Sequence, residues 1–153
     1  AGTPKALARM RERPAFDGGV GAISTVDDYT RFARMLLNAG TLDGVRVLSA
    51  AMVGEMTMNQ LRGSGTKPGV AFTQGKYFLP GRGYGFGYGV AVRIDDANIA
   101  GRVGDYWWGG YGGSYFWVDP TNEMTVVFMI DEHAMRRHYR QVLRRMVYEA
   151  LDD

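Results

Sequence analysis

Tyr106-Trp107-Trp108-Gly109-Gly110-Tyr111-Gly112-Gly113-Ser114-Tyr115-Phe116-Trp117-Val118-Asp119-Pro120 is the stretch on which the fold turns. Large rings sit among bare glycines, then give way to a short apolar run and a turn. Glycine lets another backbone or a ligand come close and the rings supply apolar walls, so the stretch reads as a strand edge lining a pocket. Residues 114–118 and 124–130 read as two strands joined by Asp119-Pro120-Thr121-Asn122-Glu123. That connection is short enough to make them an antiparallel hairpin. The second strand is apolar on both faces, which places it inside the sheet.

Upstream, Tyr84, Phe86, Tyr88, Val90, Val92 and Ile94 alternate with Gly85, Gly87, Gly89 and Ala91, so residues 84–94 read as one strand with a bare face. Downstream, Met135, Tyr139, Val142, Leu143, Met146, Val147, Ala150 and Leu151 form a helical stripe opposite Arg136, Arg137, Arg140, Arg144 and Arg145. The apolar stripe is expected to lie on the sheet and the arginines to face solvent. The first 70 residues read as mainly helical. Thr25 caps a helix with Asp28 three residues on, and Val26, Tyr29, Phe32, Ala33, Leu36 and Leu37 follow at helical spacing until Asn38-Ala39-Gly40 stops it. Ser49 caps a second helix with Met52, Val53, Met56 and Leu61 on its inner face. The expected organisation is a single unit over 1–153: an extended lead-in segment at 1–17, a helical portion at 18–70, and antiparallel strands with a C-terminal helix at 71–153.

With 153 residues, 46% of them hydrophobic and 22% charged, the chain suffices for one globular core and is too apolar for disorder. A net charge of +2 bears on solubility more than on partners. The absence of cysteine excludes disulfides, a thiol nucleophile and thiolate metal sites. No apolar run approaches the roughly 20 residues of a membrane span. The start, Ala1-Gly2-Thr3-Pro4-Lys5, has neither a signal-peptide pattern nor an initiator Met, as expected of a processed or truncated end. The compartment stays open between cytoplasm and periplasm, leaning to the cytoplasm.

Four motifs compete for chemistry. His133 and His138 are five apart, the wrong interval for a metal pair on one helical face, so neither a metal nor a cofactor is expected. Arg82-Gly83-Tyr84-Gly85-Phe86 begins like an RNA-binding strand but fails at Gly87 and Gly89, and no nucleic-acid partner is expected. Asp27-Asp28 opens a helix and Asp95-Asp96 sits at a turn, which favours structural roles for both pairs. Ser64-Gly65-Thr66-Lys67 is a literal S-x-x-K, in which a lysine one helical turn after a serine takes its proton. Gly63, Gly65, Pro68 and Gly69 surround it and oppose the helix that this chemistry needs.

Taken in order, Gly18-Gly19-Val20-Gly21-Ala22-Ile23-Ser24-Thr25-Val26-Asp27-Asp28-Tyr29-Thr30-Arg31-Phe32 and Met35-Leu36-Leu37-Asn38-Ala39-Gly40 are followed by Tyr84-Gly85-Phe86-Gly87-Tyr88-Gly89-Val90, Trp108-Gly109-Gly110 and Phe116-Trp117-Val118-Asp119-Pro120. This ordered set resembles the second half of the serine β-lactamase-related hydrolases, a family that includes class C β-lactamases, DD-peptidases and family VIII carboxylesterases. The resemblance covers residues 16–150, and the W-G-G triplet with F-W-V-D-P points to the esterase branch. It implies an α+β, partial β-lactamase/transpeptidase-like fold, with an antiparallel sheet of at least three strands packed by the C-terminal helix. It also implies that Trp108, Gly109 and Gly110 lie on the strand bordering the catalytic cleft and bind substrate. The backbone N–H of Tyr111 would be one of two oxyanion-hole donors.

The family's first two motifs, a helical S-x-x-K and a Y-x-N or a relative of it, lie N-terminal to the region matched, and neither is found in a usable place. The resemblance therefore implies a C-terminal fragment of a serine hydrolase, inactive alone, whose parent cleaves a small ester or amide through an acyl-serine. Its expected partner is the missing N-terminal half or a second copy, which would cover an exposed sheet edge and face. The rival reading is a non-catalytic binding module, with Tyr106, Trp107, Trp108, Tyr111 and Trp117 as an aromatic platform for a sugar or peptide.

Overall fold

The computed structural model describes residues 23–61, 63, 83–97 and 99–151. The 1–17 segment, Gly18-Gly19-Val20-Gly21, the Ser64 to Lys67 motif and Arg82 lie outside the described residues. The elements run α1 (Val26–Leu37), β1 (Thr41–Leu42), β2 (Val45–Arg46), α2 (Ala50–Met56), β3 (Tyr84–Phe86), β4 (Ala91–Arg93), β5 (Tyr106–Gly109), β6 (Gly113–Asp119), β7 (Met124–Asp131) and α3 (Arg136–Glu149). This is an α+β fold built on a five-stranded antiparallel sheet in the order β3-β4-β5-β6-β7.

Both helix caps form as the sequence indicates. The Thr25 hydroxyl accepts from the Asp28 N–H at 3.1 Å, and Ser49 accepts from the Met52 N–H at 3.1 Å. Each cap satisfies an N–H that the first helical turn leaves without a carbonyl. α1 ends as Ala39 and Gly40 take positive φ, and the Gly40 N–H closes on the Met35 carbonyl at 2.8 Å. Between the helices a small hairpin departs from the all-helical reading of this region. Leu42 pairs with Val45 across Asp43-Gly44, both at positive φ, the chemistry of a tight two-residue turn. Met52, expected inward on α2, is half exposed, and Val53 carries the burial.

Residues 84–94 form two strands. Gly85 pairs with Val92 and Phe86 with Ala91, with the Gly87 N–H on the Val90 carbonyl at 2.8 Å and Gly89 at φ +84. The regular alternation of glycines and apolar residues ran straight through a hairpin turn. The 119–123 connection does make an antiparallel hairpin, pairing Asp119 with Met124. β7, however, is the outermost strand of the described sheet, not an interior one. It is apolar on both faces because Val127 packs into the core beneath α1 while Val126 and Phe128 pack into the core on the α3 side.

α3 lies on the sheet through a face rotated from the expected one: Leu143 and Val147 of the expected stripe point inward and Arg137 and Arg145 face solvent as expected, but three arginines join the buried side. Arg136, Arg140 and Arg144 are buried, together with the inward Leu143, Val147 and Tyr148, while Met135, Tyr139, Met146 and Leu151 are exposed. The buried arginines, four apart, form one stripe whose guanidiniums lie over Tyr111, Tyr115 and Trp117 at 5.1–5.5 Å. A planar, weakly hydrated cation tolerates burial when rings and oxygen acceptors surround it. Hydrophobicity alone misplaces Arg136, Arg140 and Arg144, because their partners come from distant strands.

Candidate functional site

β5 places the W-G-G triplet at the end of a central strand. β4 pairs only with Tyr106 and Trp107, whereas β6 continues along Trp108 and Gly109. The glycine end of β5 thus extends past its neighbour, which gives it a strand edge although the strand is interior to the sheet. Trp108 is half-buried and meets Phe86 edge-to-face, ring centroids 5.0 Å apart. Tyr106, Trp107 and Trp117 are buried in the two cores, so the five aromatics do not form an exposed platform; Tyr111 alone of them is largely exposed, at 71%.

The turn at residues 110–113 joins β5 to β6 and is held at several points. The Gly110 N–H donates to the Ser114 carbonyl at 2.8 Å, the Gly113 N–H donates to the Gly110 carbonyl at 3.2 Å, and the Gly112 carbonyl accepts from the Glu132 N–H at 2.8 Å. Gly113 sits at φ +123, where a side chain would meet the Ile130 Cγ2 at 2.8 Å, so glycine is required there. The Tyr111 N–H has no acceptor among the described residues. A turn held at these points thus carries a backbone donor with no acceptor among the described residues, at the end of β5.

Arg140 braces this turn from below. Its Nη2 donates to the carbonyls of Gly110 at 2.6 Å and Ser114 at 2.7 Å, and its Nε to that of Gly113 at 3.2 Å. Burial and the neighbouring Arg136 push its guanidinium down to about 10, still charged at neutral pH. The bare face of Gly109 is filled by this group. A Cβ there would lie 2.8 Å from the Arg140 Cζ and Nη2, so the glycine makes room for an arginine. The Tyr111 ring rests against His133, centroids 4.2 Å apart, and under Arg136 at 5.2 Å.

Sequence reasoning missed Arg140, Arg136 and His133 as neighbours of the W-G-G strand. The available signal was the spacing of Arg136, Arg140 and Arg144, a stripe too regular for an unconstrained solvent face. Asp105 was missed as well: fully buried, its Oδ2 accepts from Arg93 Nε at 2.8 Å and Arg144 Nη2 at 2.5 Å, and burial pushes the carboxyl above its ordinary range against the pull of Arg144 and Arg93. This triad ties α3 to β4 on the same sheet face that Arg140 occupies. Among the described residues, no group of three or more His, Asp or Glu side chains is placed to hold a metal, and no helix is long and apolar enough to cross a membrane.

Known proteins place this architecture. The sequence profile of the β-lactamase family matches residues 1–146. The chain is 37% identical over 123 residues to two proteins of Mycobacterium tuberculosis, the uncharacterized protein MT1414 of strain CDC 1551 / Oshkosh and protein Rv1367c of strain ATCC 25618 / H37Rv. The match covers 76% of this chain and 29% of either relative. Among solved structures it is similar to EstCE1, a hydrolase with promiscuous acyltransferase activity, with TM-score 0.67, 25% identity, and coverage of 86% of this chain and 31% of that one. The chain thus spans about a third of the length of the proteins it matches. A family profile over nearly the whole chain and the shared fold agree with the glycine-aromatic strand described above: this chain belongs to the β-lactamase-related family of serine hydrolases.

Proposed function

We propose that this chain supplies the oxyanion side of the active site of a serine hydrolase that cleaves a small ester or amide. In this reading a serine from outside the described residues attacks the substrate carbonyl. The carbonyl oxygen becomes an alkoxide as the tetrahedral intermediate forms, and the Tyr111 N–H donates to it. Loss of the leaving group yields an acyl-serine that water then hydrolyses. A single preorganised donor of this kind is worth about 3 kcal/mol in the transition state, because it is already aimed where charge develops. The observation that carries the reading is the unaccepted Tyr111 N–H on a braced turn at the end of the W-G-G strand. Trp108 would wall the acyl pocket beside Gly109 and Gly110. Membership in a family of serine hydrolases and the hydrolase activity of EstCE1 support the reaction class.

The nucleophile and its base are assigned to the N-terminal part of a longer hydrolase or to a second copy, and the isolated chain is inactive. The test is hydrolysis of p-nitrophenyl acetate and nitrocefin by the isolated chain and by the chain joined to its upstream coding region. The expected result is turnover only in the joined protein. Sustained turnover by the isolated chain, abolished by Ser64→Ala, would overturn the division of labour.

A further inference from the structure

The hydrogen bonds of Arg140 include one whose chemistry reaches the proposed donor directly. Gly110 C=O and Tyr111 N–H belong to the same peptide unit. No cis peptide bond occurs among the described residues, so that unit is planar and trans, with its oxygen and its hydrogen on opposite sides. Fixing the oxygen therefore fixes the direction of the N–H. Arg140 Nη2 holds that oxygen at 2.6 Å.

We propose that Arg140 is a positioning residue for the oxyanion hole, resting on the assignment of Tyr111 above: it pins the Gly110 carbonyl, aims the Tyr111 N–H away from α3, and strengthens it as a donor. The strengthening has an electrostatic origin. A cation on the carbonyl oxygen draws electron density along the amide, leaving more positive charge on the N–H, as in any cooperative hydrogen-bond chain. The bonds to Gly113 and Ser114 fix the guanidinium plane, so that the contact to Gly110 is made with one geometry. Gly109 completes the device, since any side chain there would displace the arginine. Lysine would bring the charge without the planar fork that holds three carbonyls at once.

The test has two readouts. The first is backbone NMR of this chain with Arg140, Arg140→Lys and Arg140→Gln. The expected result is an upfield shift of the Gly110 carbonyl carbon and the Tyr111 amide proton in both variants, larger in Gln, with an unchanged spectrum on α1. Unmoved Gly110 and Tyr111 signals in a folded variant overturn the proposal. The second is kinetics in the active, joined hydrolase. Arg140→Lys is expected to lower kcat by about 10- to 100-fold, the range typical when a partner that orients a metal ligand is lost, with KM within about twofold. Free guanidinium at low millimolar concentration is expected to restore part of kcat to Arg140→Ala. A variant that melts earlier but keeps kcat while folded makes Arg140 merely structural and sinks the idea. Tyr111→Pro in the same protein separates the two claims. If it leaves kcat intact, the oxyanion assignment itself fails; if it abolishes turnover while the Arg140 variants do not, only the role of Arg140 fails.

Discussion

Replacing Asp105 by alanine removes the carboxylate between two guanidiniums that are at most 3% exposed. Arg93 keeps its bonds to the carbonyls of Ile99 and Ala100, and Arg144 keeps those to the Ala100 carbonyl and the Tyr115 hydroxyl. Both cations lose their only anionic partner among the described residues, so what remains is buried, uncompensated charge. Breaking a buried ion pair from one side typically costs about 3–5 kcal/mol. That is a large share of the roughly 5–15 kcal/mol by which a domain is stable. With a urea dependence of about 2 kcal/mol per molar, the unfolding midpoint is expected to fall by about 1.5–2.5 M. Tryptophan fluorescence suits the assay, because the Arg144 guanidinium lies 5.1 Å over the ring of the fully buried Trp117. A midpoint shift below about 0.5 M with an unchanged slope would refute the view that this triad anchors α3 to the sheet.

Further outcomes follow from the same contacts. Gly109→Ala places a methyl against the Arg140 guanidinium and is expected to cost about 1–3 kcal/mol in urea unfolding, as overpacking does, and to weaken the brace on the 110–113 turn. Tyr111→Pro removes one N–H and is expected to lower kcat of the active hydrolase about 10²–10³-fold, whereas Tyr111→Ala, which keeps the N–H, is expected to leave most of it. Asp119 is buried, but hydrogen bonds from Tyr148, Asn122 and the backbone N–H groups of Asn122 and Thr121 hold its carboxyl below the ordinary range. Its folded pKa is the lower one, so its contribution is complete above the unfolded value of about 3.9 and is lost as pH falls through the folded value. The stability difference between wild type and Asp119→Asn, measured by urea unfolding, is therefore expected to shrink below about pH 4.

What the sequence made legible was whatever local chemistry decides. The caps at Thr25 and Ser49, the stop at Gly40 and the 119–123 turn each depend on a few adjacent residues, and each forms as read. The hairpin at 87–90 was hidden because alternating glycines satisfy a strand pattern and a turn equally well. The 41–46 hairpin announced itself only through Asp43-Gly44. The orientation of α3 was illegible for a different reason. Whether Arg136, Arg140 and Arg144 face water or protein depends on Asp105, on the rings of Tyr115 and Trp117, and on carbonyls at the 110–114 turn, all remote in sequence. At the candidate site, the family resemblance pointed to the W-G-G strand and to Tyr111, while the packing reason for Gly109 emerged only when Arg140 was seen lying across it.

In the proposed mechanism the Tyr111 N–H donates to the oxyanion. The direct measurement is a crystal structure of the active hydrolase after reaction with an aryl phosphonate ester, whose tetrahedral phosphorus mimics the intermediate. A phosphonyl oxygen is expected about 2.7–3.1 Å from the Tyr111 nitrogen, the distance of a working oxyanion donor. A phosphonyl oxygen turned away from the 110–113 turn would contradict it.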